Sequence, residues 1–314
     1  MNMRLGIAAG LLAVAMPMSA SAQFLGKSEM PTTSPKLGTI WSPKPTKLPP
    51  YVAPNKVIWR LADILAAHKG KAAWVQPIVR NSDQEADYIA MAPGTKTKPH
   101  LYADDRVVWI VQDGSMKVTI DGYPPFVATK GFMVNVPFRH VYSIESLGDK
   151  PSLRFEVRQA GAIPLYPATE TPDPVPGFTY QKVNATPGPN KETESNPIYV
   201  DFWKQVVQEG GTPSKFVWDD HFTSNILRGK GAPVPPDTNL GHFHVRMTEF
   251  WFIMEGRIGY KIDGLPYFVA DQGDVVTAIA GRFHRAGNDP SAPMSTRIPF
   301  NPRPPILHNF QPAD

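Results

Sequence analysis

The sequence predicts an all-β fold of two tandem β-barrels, with a short helix before each barrel. Three observations lead there: an internal repeat, short aromatic and β-branched runs punctuated by glycine, and abundant proline. At a constant offset of 142 positions, HLYADDRVVWIVQDG (100–114) lies over HFHVRMTEFWFIMEG (242–256), and IDGYPPFVATKG (120–131) over IDGLPYFVADQG (262–273). His100 meets His242, Trp109 meets Trp251 and Gly131 meets Gly273 without a gap, so the chain carries two copies of one unit. Thirty-five prolines in 314 residues suit long connections rather than a helical bundle.

The elements follow in order. Residues 1–22 have a basic start, an apolar run from Leu5 to Met16 and a small-residue tail ending Ala20-Ser-Ala22. That is the three-part pattern of a secretory signal peptide cleaved near Ala22, so a periplasmic or secreted chain is expected. The competing reading, a membrane anchor, needs roughly 20 apolar residues, and this run is too short, so no membrane span is expected. There is no cysteine, which rules out disulfides and a lipidated-cysteine anchor. Residues 23–56 form a proline-rich lead-in. VIWRLADILAAHKGK (57–71) has helical spacing and a terminal glycine, and opens an N-terminal barrel spanning 57–160. There VVWIVQDG and SMKVTIDG read as a hairpin and FVATKGFMVNVP as two further strands. A proline-rich linker covers 161–198. YVDFWKQVVQEGG (199–211) is a second helix, and the C-terminal barrel, 199–314, repeats the strand pattern. The formal charge of +4 is small and the Lys and Arg residues are scattered, so no nucleic-acid footprint is present.

The chemistry concentrates in GHFHVRMTEFWFIMEG (241–256). His242 and His244 are one residue apart, so on a strand both point to one face. Glu249 opens the next strand and can fold back on that face, and His284 follows a later glycine turn. Three imidazoles and a carboxylate suit one divalent transition metal, Mn, Fe, Ni, Cu or Zn. A lone glutamate among aromatics is costly, and a divalent cation removes that cost. Trp251 and Ile253 share the face of Glu249 at period two and form either a substrate-pocket wall or plain core. Tyr260, on the returning strand, is a hydrogen-bond donor behind the site or a half-buried sheet residue. Arg228 either points into the barrel, where it holds a carboxylate bidentately, or lies on the surface. His221 and His308 fit no ligand spacing, and Arg282 and Arg285 are expected to point outward beside His284.

These residues resemble the cupin superfamily. His242, His244, Glu249 and Gly256 match the spacing of its first motif, with Pro236 in place of the usual leading glycine. Gly273, Gly281, His284 and Asn288 match the second, with Ile279 where proline is usual. The resemblance covers both repeats and implies a secreted bicupin of two jelly-roll-like barrels. In the first copy the corresponding positions are His100, Tyr102, Val107 and Tyr142. Its metal site is therefore degenerate, although His140, Asp104 or Asp105 lies near enough in sequence to be weighed. The resemblance implies a metal-dependent enzyme acting on a small molecule, a carboxylate or an aromatic, by dioxygenase-like or decarboxylase-like chemistry, with Glu249, Arg228 and Tyr260 as catalytic candidates. The alternative is a non-catalytic metal-storage or small-ligand-binding cupin. A homo-oligomer is compatible with either.

Overall fold

In the computed structural model the described residues are 38–185, 196–211, 215–218, 222–232, 234–302 and 310–313. The leader, His221 and His308 lie outside them. The chain falls into two units, Met1–Trp41 and Ser42–Asp314; the described part of the first, 38–41, forms no regular element, and both barrels belong to the second. No helix among the described residues is long and apolar enough to cross a membrane.

The first copy runs β1 (Ile58–Trp59), α1 (Leu61–Ala67), β2 (Trp74–Arg80), β3 (Gln84–Met91), β4 (Val107–Asp113), β5 (Ser115–Ile120), β6 (Phe126–Thr129), β7 (Phe132–Val136), β8 (Tyr142–Leu147) and β9 (Ser152–Gln159). The second runs β10 (Tyr199–Asp201), a π-helix (Phe202–Gln208), β11 (Lys215–Trp218), β12 (Phe222–Asn225), β13 (Leu227–Gly229), β14 (Glu249–Glu255), β15 (Arg257–Ile262), β16 (Phe268–Asp271), β17 (Val275–Ala278), β18 (His284–Asn288) and β19 (Ser295–Pro302). Among the described residues the fold is all-β with two short helices, as the sequence predicts.

Each barrel closes a large antiparallel sheet over a three-stranded one. In the first, β10-β7-β4-β9-β3-β2 faces β6-β5-β8. In the second, β1-β17-β14-β19-β12-β11, with β13 on β19, faces β16-β15-β18. The expected β4–β5 and β14–β15 hairpins are corrected here: within each pair the strands belong to different sheets, and the chain turns a barrel corner at Gly114 or Gly256. Sealing a barrel end requires the chain to leave the large sheet at that point instead of pairing back on itself.

The helical expectation for each lead-in is also corrected at its first residues. Ile58 and Trp59 pair with Val276 and Val275 of the second copy, whereas Tyr199 to Asp201 pair with Val134 to Phe132 of the first. Each copy thus lends its leading strand to the other's sheet, because an edge strand with free backbone groups outcompetes one more helical turn. Asp274 then fixes the helix that follows β1, accepting the Leu61 amide at 3.0 Å and the Arg60 guanidinium at 2.8 Å. The matched glycines mark these docking points. A Cβ on Gly131 would lie 2.4 Å from Trp203, and one on Gly273 2.5 Å from Leu61.

The large sheets are buried on both faces. Val108, Ile110, Phe155, Phe250, Phe252 and Phe300 meet in a core between the barrels. Their sequence neighbours point the other way: Val107, Trp109 and Val111 fill the first barrel, and Trp251 and Ile253 the second. Phe155 joins the two copies most directly, with its ring 5.4 Å from Phe252, 6.0 Å from Phe300 and 5.3 Å from Tyr88. Phe155→Ala is expected to cost about 3–5 kcal/mol, lowering the urea midpoint of a single transition, whereas Val127→Ala, at an exposed position, stays within about 0.5 kcal/mol.

Candidate metal centre

The second barrel brings His242, His244, Glu249 and His284 together, their ligand atoms all within 4.8 Å of one another. It is the one His, Cys, Asp and Glu group of metal-binding geometry among the described residues. Glu249 begins β14 opposite Ala278 of β17, facing the barrel with Trp251 and Ile253 as predicted. His242 lies in an isolated bridge to His284, with amide-to-carbonyl bonds of 3.1 and 2.8 Å in the two directions. The expected strand through His242 and His244 is therefore a bridge and not a full element. Gly241 makes it possible: its φ is +77°, and a Cβ there would stand 2.1 Å from the His284 carbonyl.

Glu249, His244 and His284 are buried, and the His242 side chain, 27 % exposed, forms the open side. Glu249 Oε2 lies 3.1 Å from Nε2 of His244, 3.2 Å from Nε2 of His284 and 3.8 Å from Nε2 of His242. Burial pushes the Glu249 carboxyl up, but hydrogen bonding from the three imidazoles overcomes it and holds the group well below the usual carboxylate range. The ring of His284 decides what fits. Its Nδ1 is 2.9 Å from the Arg282 carbonyl, which can only accept, so Nδ1 carries the proton. Nε2 of His284 then meets Glu249 either through a second ring proton, the hydrogen bond that lowers the carboxyl, or with its lone pair on a cation held between the two. A cation between the two satisfies both, and three nitrogens with one oxygen are a divalent-metal donor set.

The other candidates divide. Trp251 lines the site, its ring 5.4 Å from His284 and 5.3 Å from Tyr260. Tyr260 is fully buried rather than half-buried, and its hydroxyl has no hydrogen-bond partner among the described residues. Burial raises its pKa far above the ordinary tyrosine value, Arg297 opposes this and Glu249 adds to it, so the hydroxyl stays protonated as a donor. Arg228 is corrected. It forks onto Glu255 at 2.8 and 3.1 Å on the exposed rim. Glu255 is six residues along β14 from Glu249, about 20 Å at a strand's rise per residue. The ion pair and the rim position keep Arg228 out of the barrel.

The arginine that does face inward is one sequence reasoning missed. Arg297 of β19 pairs with Ile253 of β14, so it shares the inward face with Trp251, and its Nε is buried without a partner. The available signal was the alternation in TRIPFN, where Ile298 and Phe300 enter the inter-barrel core and Arg297 must face the other way. Arg282 is held under the lead-in. It is buried, donating to the Asp263 and Pro49 carbonyls at 2.7 Å each, and ties the proline-rich lead-in to the loop before His284.

The first copy repeats the bridge with other residues, His100 to Tyr142. His140 turns its Nδ1 to the Phe138 carbonyl at 2.9 Å and its ring to Tyr123, and Asp104 is bound by the exposed Arg139. Neither is drawn into a ligand cluster, and Tyr102 and Val107 take the places of His244 and Glu249.

No family model matches the chain, and no curated protein matches it. Solved structures do. A cupin 2 conserved barrel domain protein from Leptotrichia buccalis is 12 % identical with a TM-score of 0.50, covering 78 % of this chain and 96 % of that one. A protein from Pseudomonas aeruginosa described as glyoxylate induced is 13 % identical with a TM-score of 0.51, covering 80 % and 90 %. A mutant oxalate decarboxylase from Bacillus subtilis is 13 % identical with a TM-score of 0.45, covering 78 % and 76 %. The first two likenesses show the fold.

Removing a ligand is expected to weaken divalent-metal binding, read by isothermal titration with Mn²⁺ or Zn²⁺, beyond the roughly 10–100-fold that loss of an outer partner costs. Glu249→Ala and His284→Ala serve as the variants. Tyr102→Phe leaves the stoichiometry and affinity unchanged, and metal loss in that variant would contradict a single site in the second copy.

Proposed function

For a chain that carries the cupin fold twice, we propose that the second barrel is a metal-dependent enzyme site acting on a small organic carboxylate. One observation carries this reading: beside a cluster of four candidate ligands, two inward donors, the Tyr260 hydroxyl and Arg297 Nε, are buried without partners among the described residues. A storage or purely structural site has no use for them, since a buried unpaired donor is unfavourable unless a ligand completes it.

The chain's residues then divide the work. Arg297 supplies a planar guanidinium to the substrate carboxylate. Tyr260, held protonated, donates a hydrogen bond to a substrate oxygen. Trp251 and Ile253 form an apolar wall that excludes water and seats the carbon skeleton. His242, His244, Glu249 and His284 would hold the metal, with substrate entering on the exposed side of His242. A bound metal supplies Lewis acidity and, for Mn, Fe or Cu, one-electron chemistry. The reading covers both decarboxylation and dioxygen-dependent cleavage, which differ in whether O₂ is consumed. The leader pattern at residues 1–22 supports an exported, periplasmic enzyme.

The test is a panel of small carboxylates offered to protein loaded in turn with Mn, Fe, Cu, Ni and Zn, following CO₂ release and O₂ uptake. Turnover that disappears in His242→Ala supports the reading, and turnover unaffected by that change defeats it. Arg297→Gln is expected to raise KM about 10–100-fold, the scale of a charged hydrogen bond, with metal content unchanged. Arg228→Gln leaves KM where it was.

A further inference from the structure

The interior of the first barrel lacks the metal motif and is nevertheless strongly polar. On β9, Arg154, Glu156 and Arg158 stand opposite Val111, Trp109 and Val107 of β4, whose side chains line that interior. Arg154 and Glu156 are each 6 % exposed. Arg154 Nε donates to Glu156 at 2.8 Å. Arg158 bonds Asp87 and Glu85 at 2.8 Å each and lies 3.6 Å from Glu156. Arg80 closes on Asp87 at 2.5 Å. The three guanidinium groups and three carboxylates of this row therefore match in charge.

Charge is balanced, but hydrogen bonding is not. Among the described residues Arg154 Nη1 is buried with no partner, and Trp109 Nε1, on the same inward face one strand away, has none either. Aromatic rings gather beside this row, with His100 and Tyr142 in electrostatic reach of Arg154 and Glu156. The His100 ring is 4.3 Å from Tyr142 and 5.9 Å from Tyr102, and Trp109 stacks at 5.8 Å on Tyr142. His100 and Tyr102 are half-buried, whereas Tyr142 is buried. The walls are uncharged: burial keeps both tyrosines protonated, with Glu156 adding to the effect, and burial lowers the pKa of His100.

We propose that the N-terminal barrel binds an uncharged aromatic molecule bearing a carbonyl oxygen, its ring among His100, Tyr102 and Tyr142 and its oxygen facing the spare N–H groups of Arg154 and Trp109. Two free donors call for an acceptor, and the walls call for a ring. A carboxylate is disfavoured because it would add a fourth negative charge to a row already neutral. This site is independent of the metal centre.

Benzamide titrated into metal-free full-length protein, followed by indole N–H NMR, tests the proposal. Trp109→Phe, which keeps an aromatic ring and removes the donor, assigns the Trp109 resonance. That resonance is expected to shift saturably, with toluene, which lacks the acceptor both N–H groups need, binding about tenfold or more weaker than benzamide, and benzoate, which adds a buried negative charge, also weaker. Arg154→Met weakens benzamide by a similar factor; if that variant does not fold, the ranking of the three probes on the unaltered protein still decides. A Trp109 signal unmoved by benzamide, or benzoate binding as tightly as benzamide, overturns the proposal.

Discussion

A strand buried on both faces must send every side chain to one of two interiors, and that constraint organises this molecule. β4 and β9 in the first copy, and β14 and β19 in the second, lie between a barrel and the core shared by both barrels. Phe250 and Phe252 are committed to the shared core, so Glu249, Trp251 and Ile253 have no choice but the barrel. The same reasoning on β19 commits Ile298 and Phe300 outward and Arg297 inward. The inward placement of Glu249, of Trp251 and Ile253, and of Arg297 thus follows from hydrophobic packing on the opposite face of the sheet, where aromatic burial is worth a few kcal/mol per ring.

The exchange of leading strands makes the two copies interdependent. β1 completes the second copy's sheet and β10 the first's, and each is followed by a helix seated on a matched glycine. Both exchanges cover a sheet edge that would otherwise present unpaired backbone groups. The hydroxyl of Tyr88 adds a direct link between the copies, donating to the Gly273 carbonyl. The proline-rich lead-in is equally structural: Lys44 pairs with Asp263 at 2.7 Å and Tyr51 donates to the Thr277 carbonyl at 2.8 Å, so this segment straps the barrel that carries the His and Glu cluster.

Within a common frame the two interiors have diverged in what they leave unsatisfied. The bridge between the first histidine and its later partner survives in both copies, His100 to Tyr142 and His242 to His284. An inward arginine also survives, opposite Val111 in one copy and Ile253 in the other. What differs is the company it keeps. Arg154 sits in a charge-balanced row with Glu156, whereas the strand position opposite Trp251 is Pro299, and the carboxylate of the second copy is Glu249 among three imidazoles.

The sequence by itself determined the repeat, the all-β class and the four residues of the His and Glu cluster, because these depend on spacing: an H-x-H pair, a glutamate at fixed distance and a register repeated without a gap. It also placed Trp251 and Ile253, since period-two alternation along one strand is local. Only the tertiary structure decided matters set between strands distant in sequence. The exchange of β1 and β10 is invisible in a helical pattern, and the absence of β4–β5 pairing is invisible in a glycine turn. Choosing Arg297 over Arg228 required knowing that Glu255 waits on the rim for one and that Ile253 faces inward beside the other. Cross-strand neighbours carry the electrostatics of a barrel, and no one-dimensional period encodes them.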